Sequence, residues 1–331
     1  MVHIIWQKIA TVCKIVCNGC WIISDIAAVP KRMMHAYRQK DSWLSEMQVF
    51  DFTSMYDKFV HHDMKLRLRE LTTMVFDYMS GKPILPSLHE YCGRRGFQRD
   101  SGQHLTTMEV HYSSDDSRGV TAVDSTNWSE RDVHDKVRNG VRLDADTLND
   151  MVDFIIDNSY VSHAGITYRQ TAGMVKGVNN APQMANLYCA YYELEYMTRR
   201  AVHYLHTLKQ HEVNPTIPRS PVLRAEMTAL FNFCRLMDDI AAVGMPHGID
   251  TAAVLRDERS IGSTDGVYPV HILDADGVLC ENPMLVNPIF KSPESEGNCE
   301  SIRDVSTFET HHPGFKKWIG AIIAVALGAA I

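Results

Sequence analysis

Apolar positions recur at helical spacing in three stretches of the chain. Across residues 64–79, Leu68, Leu71, Val75 and Tyr78 fall at intervals of three, four and three, which predicts an amphipathic helix. Residues 143–159 repeat the pattern through Leu148, Met151, Val152, Ile155 and Ile156. The third helix begins after Asn180, a capping residue. Pro182 sits in its first turn, where a missing N–H costs nothing, and Met184, Leu187, Tyr188, Tyr191 and Leu194 line one face. Shorter apolar runs predict strands. Residues 47–52 form one, and FNFCRLMDDIAAVG at 231–244 reads as strand, turn, strand with Asp238 and Asp239 at the tip. Residues 160–170 read as a hairpin turning at His163, Ala164 and Gly165, and residues 267–279 have strand character. The Gly-bearing loop at 173–180 offers backbone donors and a positive dipole end to whatever approaches the third helix. Residues 80–142 are dominated by Gly, Ser, Asp and Arg, which predicts an exposed insertion with little regular structure, although its length argues against a simple loop. Residues 2–28 are mostly apolar and predict helix. The uncharged apolar run at 318–331 is too short to span a bilayer comfortably and predicts a buried helix. No internal repeat is visible.

Composition narrows the class. With 331 residues, 45% of them hydrophobic, the chain can fill one large or two ordinary domains, which excludes a disordered protein. The net charge of −7 excludes an overall basic surface. Local clusters at Lys31, Arg32, Arg38 and Lys40, and at Lys65, Arg67 and Arg69, could supply one, but read more simply as solvated faces. The eight cysteines lack the spacing of a disulfide scaffold and suggest reduced thiols, hence an intracellular protein, nuclear or cytoplasmic. Cys13, Cys17 and Cys20 have the spacing of an iron–sulfur site, but Ile15, Val16, Trp21 and Ile22 around them favour a buried helix. Lys8 and Lys14 interrupt the first apolar stretch, so no signal peptide is expected. The sequon Asn127-Trp128-Ser129 therefore carries no weight.

Adjacent aspartates at a hairpin tip repel each other, and a divalent cation such as Mg²⁺, which prefers hard oxygen ligands, relieves that repulsion. A lone pair is most simply an acidic turn, but a third carboxylate changes its meaning. Asp51 ends the strand QVFDF. If that strand lies beside the hairpin, three carboxylates converge, an arrangement that suits two divalent ions about 4 Å apart. Glycosidase or acid–base chemistry needs only two carboxylates and has no use for the loop and helix at 173–196.

Taken in order, FDFTSMYDKF, GMVKGVNNAPQMANLYC and RLMDDI resemble palm motifs A, B and C of reverse transcriptases. The details FDFTSMY, YRQTAGM, the AP-x-x-ANLY run and YYELEY are most similar to Penelope-like retroelements. VHILDADG followed by PIFKSP resembles the primer-grip region, and HHPGFKKWIGAII resembles the start of a thumb. The resemblance implies an α+β right-hand polymerase palm, an antiparallel sheet backed by helices. Residues 1–46 would be abbreviated fingers, 47–295 the palm with its insertion at about 80–142, and 296–331 a partial thumb. It further implies that Asp51, Asp238 and Asp239 bind two Mg²⁺ or Mn²⁺ ions, with Asp51 bridging both, Asp238 anchoring them and Asp239 less directly engaged. Phe52, Tyr56, Gly177, Ala181 and Pro182 would contact the nucleotide, Tyr56 as the steric gate against a 2′-hydroxyl. The implied partners are an RNA template, a DNA primer and dNTPs, with no strong membrane signal. The chain departs from the pattern at Val175 and Lys176, at Leu236 where an aromatic residue is usual, and in having no lysine between Asp239 and Lys291. These departures leave an alternative: a truncated or domesticated palm that binds nucleic acid or protein without polymerising. An RNA-dependent RNA polymerase is a third option, which Tyr56 disfavours.

Overall fold

The computed structural model describes residues 47–52, 55–85, 102–115, 120–174, 180–214, 233–236, 238–243, 255, 266–269, 272 and 280–281. The expected helix at 2–28 with Cys13, Cys17 and Cys20, the basic stretch at 31–40, the loop residues 175–179 including Gly177, most of the expected strand at 267–279, and the thumb and apolar tail at 296–331 lie outside them.

In chain order the elements are β1 (Met47–Asp51), the single turn α1 (Met55–Lys58), α2 (His61–Met79), β2 (Thr107–Asp115), β3 (Val120–Ser129), β4 (Gly140–Leu143), α3 (Ala145–Asp157), β5 (Tyr160–His163), β6 (Ile166–Arg169), α4 (Ala181–Val213), β7 (Phe233–Leu236), β8 (Asp239–Val243) and β9 (Cys280–Glu281). This is a mixed α+β protein with small antiparallel sheets. The chain divides into two compact units, residues 1–19 with 54–214 and residues 20–53 with 215–331.

In the first unit α2 packs against α3 and α4. Its spacing of apolar residues explains why: Met64, Leu68, Leu71, Val75 and Met79 are all buried, three or four residues apart. Asp144 caps α3 by accepting a 2.8 Å hydrogen bond from the Thr147 N–H. Helix α4 buries Met184, Leu187, Tyr188 and Leu194, but it runs well past the apolar stretch, to Val213. Asn180 precedes it without capping through its side chain, whose amide lies instead 3.2 Å from the Met184 sulfur.

The stretch expected to lack regular structure contains a three-stranded antiparallel sheet of order β3-β2-β4. Met108 and Val110 on β2 and Thr126 on β3 are buried, and Trp128 meets Phe76 of α2 edge to face at 5.0 Å. The strands alternate inward and outward as β-structure requires. Thr126 stands opposite Val110 on the inward face, and Thr107 is buried on the other, so a count of polar residues conceals the period of two.

In the second unit a four-stranded antiparallel sheet has the order β7-β8-β1-β9. Val49, Cys234 and Ala241 are buried on one face and Phe50, Arg235 and Ile240 on the other, so the strands at the middle of the sheet are covered on both sides. That is why β1 and β8 read as continuous apolar runs rather than alternating ones.

Candidate active site

The expected hairpin forms. Leu236 pairs with Asp239, leaving a two-residue connection of which Asp238 is the second member. β8 then pairs with β1 in a register that sets Asp51 opposite Asp239. Residues directly opposite in an antiparallel pair share a face, with Cβ atoms about 4.5–5.5 Å apart. The Phe52 N–H reaches across to the Asp238 carbonyl at 3.3 Å, which ties the end of β1 to the turn itself. Asp51 is exposed, and Asp238 and Asp239 are half-buried.

The electrostatics follow from this register. Burial, then the charge of Asp238, then that of Asp51 push the Asp239 carboxyl up from 3.8 to about 7. Among the described residues, no three Asp, Glu, His or Cys side chains stand ready, as they lie, to enclose a metal ion. The three carboxylates share one end of the sheet without forming a finished ligand cage.

The remaining expected residues have varied settings. The Phe52 ring is buried and meets Tyr268 edge to face at 4.8 Å, in the core of the second unit. Tyr56 belongs to the first unit, half-buried on α1 with its ring 6.2 Å from that of Phe59. Ala181 is buried at the first turn of α4 and Pro182 beside it is partly exposed. The basic cluster on α2 is engaged with acids: Lys65 with Asp157 at 2.9 Å, Arg67 with Asp63 at 3.3 Å and Glu70 at 3.0 Å, and Arg69 with Asp153 at 2.7 Å. This is the behaviour of a solvated, ion-paired face rather than of a phosphate-binding surface.

A polar cluster not anticipated from the sequence lies between α2 and α4. Asp63 accepts hydrogen bonds from the hydroxyls of both Tyr188 and Tyr192, and Arg67 reaches the Tyr191 hydroxyl at 3.1 Å while lying over its ring. Burial, with Tyr192 and Asp63 close by, holds the Tyr188 hydroxyl far above its ordinary range, so it remains a donor. The available signal was the four-residue interval between Asp63 and Arg67 facing the tyrosines of α4.

No protein-family model matches the chain, and no curated protein matches it significantly in sequence. Among the described residues no helix is long and apolar enough to cross a membrane.

Proposed function

We propose that the chain is a polymerase palm of the reverse-transcriptase type, an RNA-directed DNA polymerase that extends a DNA primer on an RNA template with dNTPs. The observation that carries this reading is the register pairing Asp51 with Asp239 beside Asp238, which gathers the carboxylates of two distant sequence motifs at one end of one sheet. The donor set suits a hard divalent cation. Three carboxylates supply only oxygen ligands, and the Asp239 carboxyl, raised first by burial and then by the charges of Asp238 and Asp51, carries a repulsion that a cation would relieve in part. Asp51, Asp238 and Asp239 would hold Mg²⁺ or Mn²⁺, which when bound lowers the pKa of a primer 3′-hydroxyl and neutralises charge on the leaving pyrophosphate. By motif position alone, five residues beyond Asp51 in the chain, Tyr56 matches the residue that serves as a steric gate in the family this chain resembles. Primer extension on poly(rA)/oligo(dT) with Mg²⁺ or Mn²⁺ tests the proposal. Wild-type protein should extend, and Asp238→Asn should lose roughly a hundredfold or more, since several kcal/mol of charge stabilisation go with it. Absence of extension with either ion, or full activity in Asp238→Asn, refutes it.

The net charge of −7 and the departures at Val175, Lys176 and Leu236 favour a second reading, a palm that binds nucleic acid or a protein partner without polymerising. A salt titration of RNA binding separates the two, because a binder shows the salt slope and no extension.

A further inference from the structure

Helices α2 and α4 do not close fully along their contact. A cleft of about 450 Å³ opens between them, walled by Leu71 and Met74 of α2, Leu194 and Val202 of α4, and Leu85 just beyond α2. Its origin is local: Tyr191, Leu194, Thr198 and Val202 follow one another at intervals of three, four and four along one face of α4, and the short side chains of the last two leave the space unfilled. Well-packed interiors leave few voids larger than a water molecule, and this one falls within the roughly 300–1,000 Å³ of sites that enclose small molecules. Leu85 marks the same place. Its backbone has φ +52, in the left-handed region that a bulky side chain rarely adopts. Strain of this kind collects at ligand-binding positions, where the surroundings hold it.

The chemistry of the cleft changes from wall to rim. Leu71 and Leu194 are buried at its base, and Met74, Leu85 and Val202 are half-buried. At the rim stand Glu70 and Glu195, both exposed. Arg67 answers Glu70 at 3.0 Å, whereas Glu195 has neither a hydrogen bond nor an ion pair among the described residues. Arg199 also lines the cleft, but its guanidinium lies over the ring of Tyr196, which does not. Burial, and then a hydrogen bond to Glu70, hold the Tyr191 hydroxyl above its ordinary range; the charge of Glu195 adds to this and that of Arg67 opposes it. None of the exposed large apolar side chains among the described residues stands at the mouth. The apolar surface therefore ends at the rim, as a pocket for a small molecule does, and does not continue as a track for a peptide.

We propose that this cleft is a binding site for a small amphipathic cation, a molecule whose apolar chain or ring fills the space between α2 and α4 and whose ammonium group meets Glu195. The apolar part takes the hydrocarbon walls out of water, and the ammonium supplies the counter-charge that the rim calls for. Bound there, the ligand touches both helices and holds them together. The proposal goes beyond the reverse-transcriptase reading and does not depend on it, since every residue it uses lies on α2, on α4 or in the segment just after α2.

Ligand-detected NMR titration of the full chain at neutral pH with octylammonium, octanol and octanoate tests it, all three sharing one tail and kept below their micelle concentrations. Octylammonium should bind tightest and octanol next. Octanoate should bind roughly tenfold more weakly than octylammonium, because the two charged heads meet the rim with opposite sign. Glu195→Gln, a change at an exposed position, should weaken octylammonium roughly three- to fivefold and leave octanol as it was. Val202→Trp, which fills the cleft from a half-buried position on α4, should abolish binding of all three. If circular dichroism shows that this variant does not fold, the Glu195→Gln comparison decides alone. The proposal is overturned by any of four results: no binding of octylammonium, equal affinities for the three compounds, an unchanged octylammonium affinity in Glu195→Gln, or full binding in folded Val202→Trp.

Discussion

Replacing Asp239 by Asn should make the protein more stable at neutral pH and remove a specific slope from its stability profile. The folded carboxyl titrates at about 7, against an ordinary 3.8, because burial, Asp238 and Asp51 all oppose its ionisation. At about 1.4 kcal/mol per unit the ceiling is about 4 kcal/mol, and solvent screening at a half-buried group lowers this to roughly 2–4 kcal/mol. The sign follows from linkage. From about pH 4 to about pH 7 the native state keeps a proton that the unfolded chain has released, so this group's contribution is fully present below about pH 4 and is lost as pH rises to 7. The carboxamide of the Asp239→Asn variant has no such proton to lose. Urea unfolding followed by circular dichroism should therefore find Asp239→Asn ahead of wild type by roughly 2–4 kcal/mol at about pH 8 and close to it at about pH 4. Millimolar Mg²⁺ should recover much of the difference in wild type and little in the variant, since a cation between the carboxylates removes the same repulsion. Carbon-detected NMR of the side-chain carboxyl reads the titration directly. A midpoint below about 5, or parallel pH profiles for the two proteins, would refute the claim that Asp51 and Asp238 crowd Asp239.

Two further outcomes concern the first unit. Asp144→Ala should cost about 1 kcal/mol through the lost cap on α3. Although burial works against it, hydrogen bonding from Thr147 holds the Asp144 carboxyl below its ordinary range. The cap's contribution is therefore present at neutral pH and fades on acidification, and denaturant titrations at neutral and strongly acidic pH should show it. Asp63→Ala should cost about 2–4 kcal/mol, since it removes the shared acceptor of two largely buried hydroxyls while Arg67 keeps Glu70, whereas Tyr188→Phe should cost only about 1 kcal/mol. Equal losses in the two variants would mean that Asp63 is not the hub of the cluster.

What could be read in advance divides along physical lines. Helices α2 and α3 announced themselves because their buried faces are aliphatic and evenly spaced, and the Asp238 hairpin because two apolar runs flank a charged pair. β2 and β3 are hidden in the sequence because Thr126 shares the inward face with Met108 and Val110 while Thr107 is buried on the opposite one, and such strands look polar in composition. The second half of α4 is not legible in the sequence because it is only partly covered and lacks an aliphatic stripe. Asp51 and the aspartate pair could each be proposed from the sequence, but no local pattern states that Asp51 faces Asp239 rather than Asp238. Strand register between distant segments is set by tertiary pairing. Gly173 is similar: nothing in the sequence around it reveals a positive φ or a carbonyl 2.6 Å from where its Cβ would be.

The strand order β7-β8-β1-β9 also bears on how the molecule is made. β1 is an early segment held between two late ones, so the acidic end of the sheet cannot exist until residues about 190 positions apart have met, at a closure cost of roughly 5 kcal/mol in chain entropy. Residues 54–214, a continuous stretch dominated by helices and hairpins, can organise from neighbouring contacts first. During synthesis the strand carrying Asp51 emerges long before either of its partners. It must wait as an unpaired, apolar edge until the last third of the chain arrives, and that interval is when the protein is most exposed to misassembly.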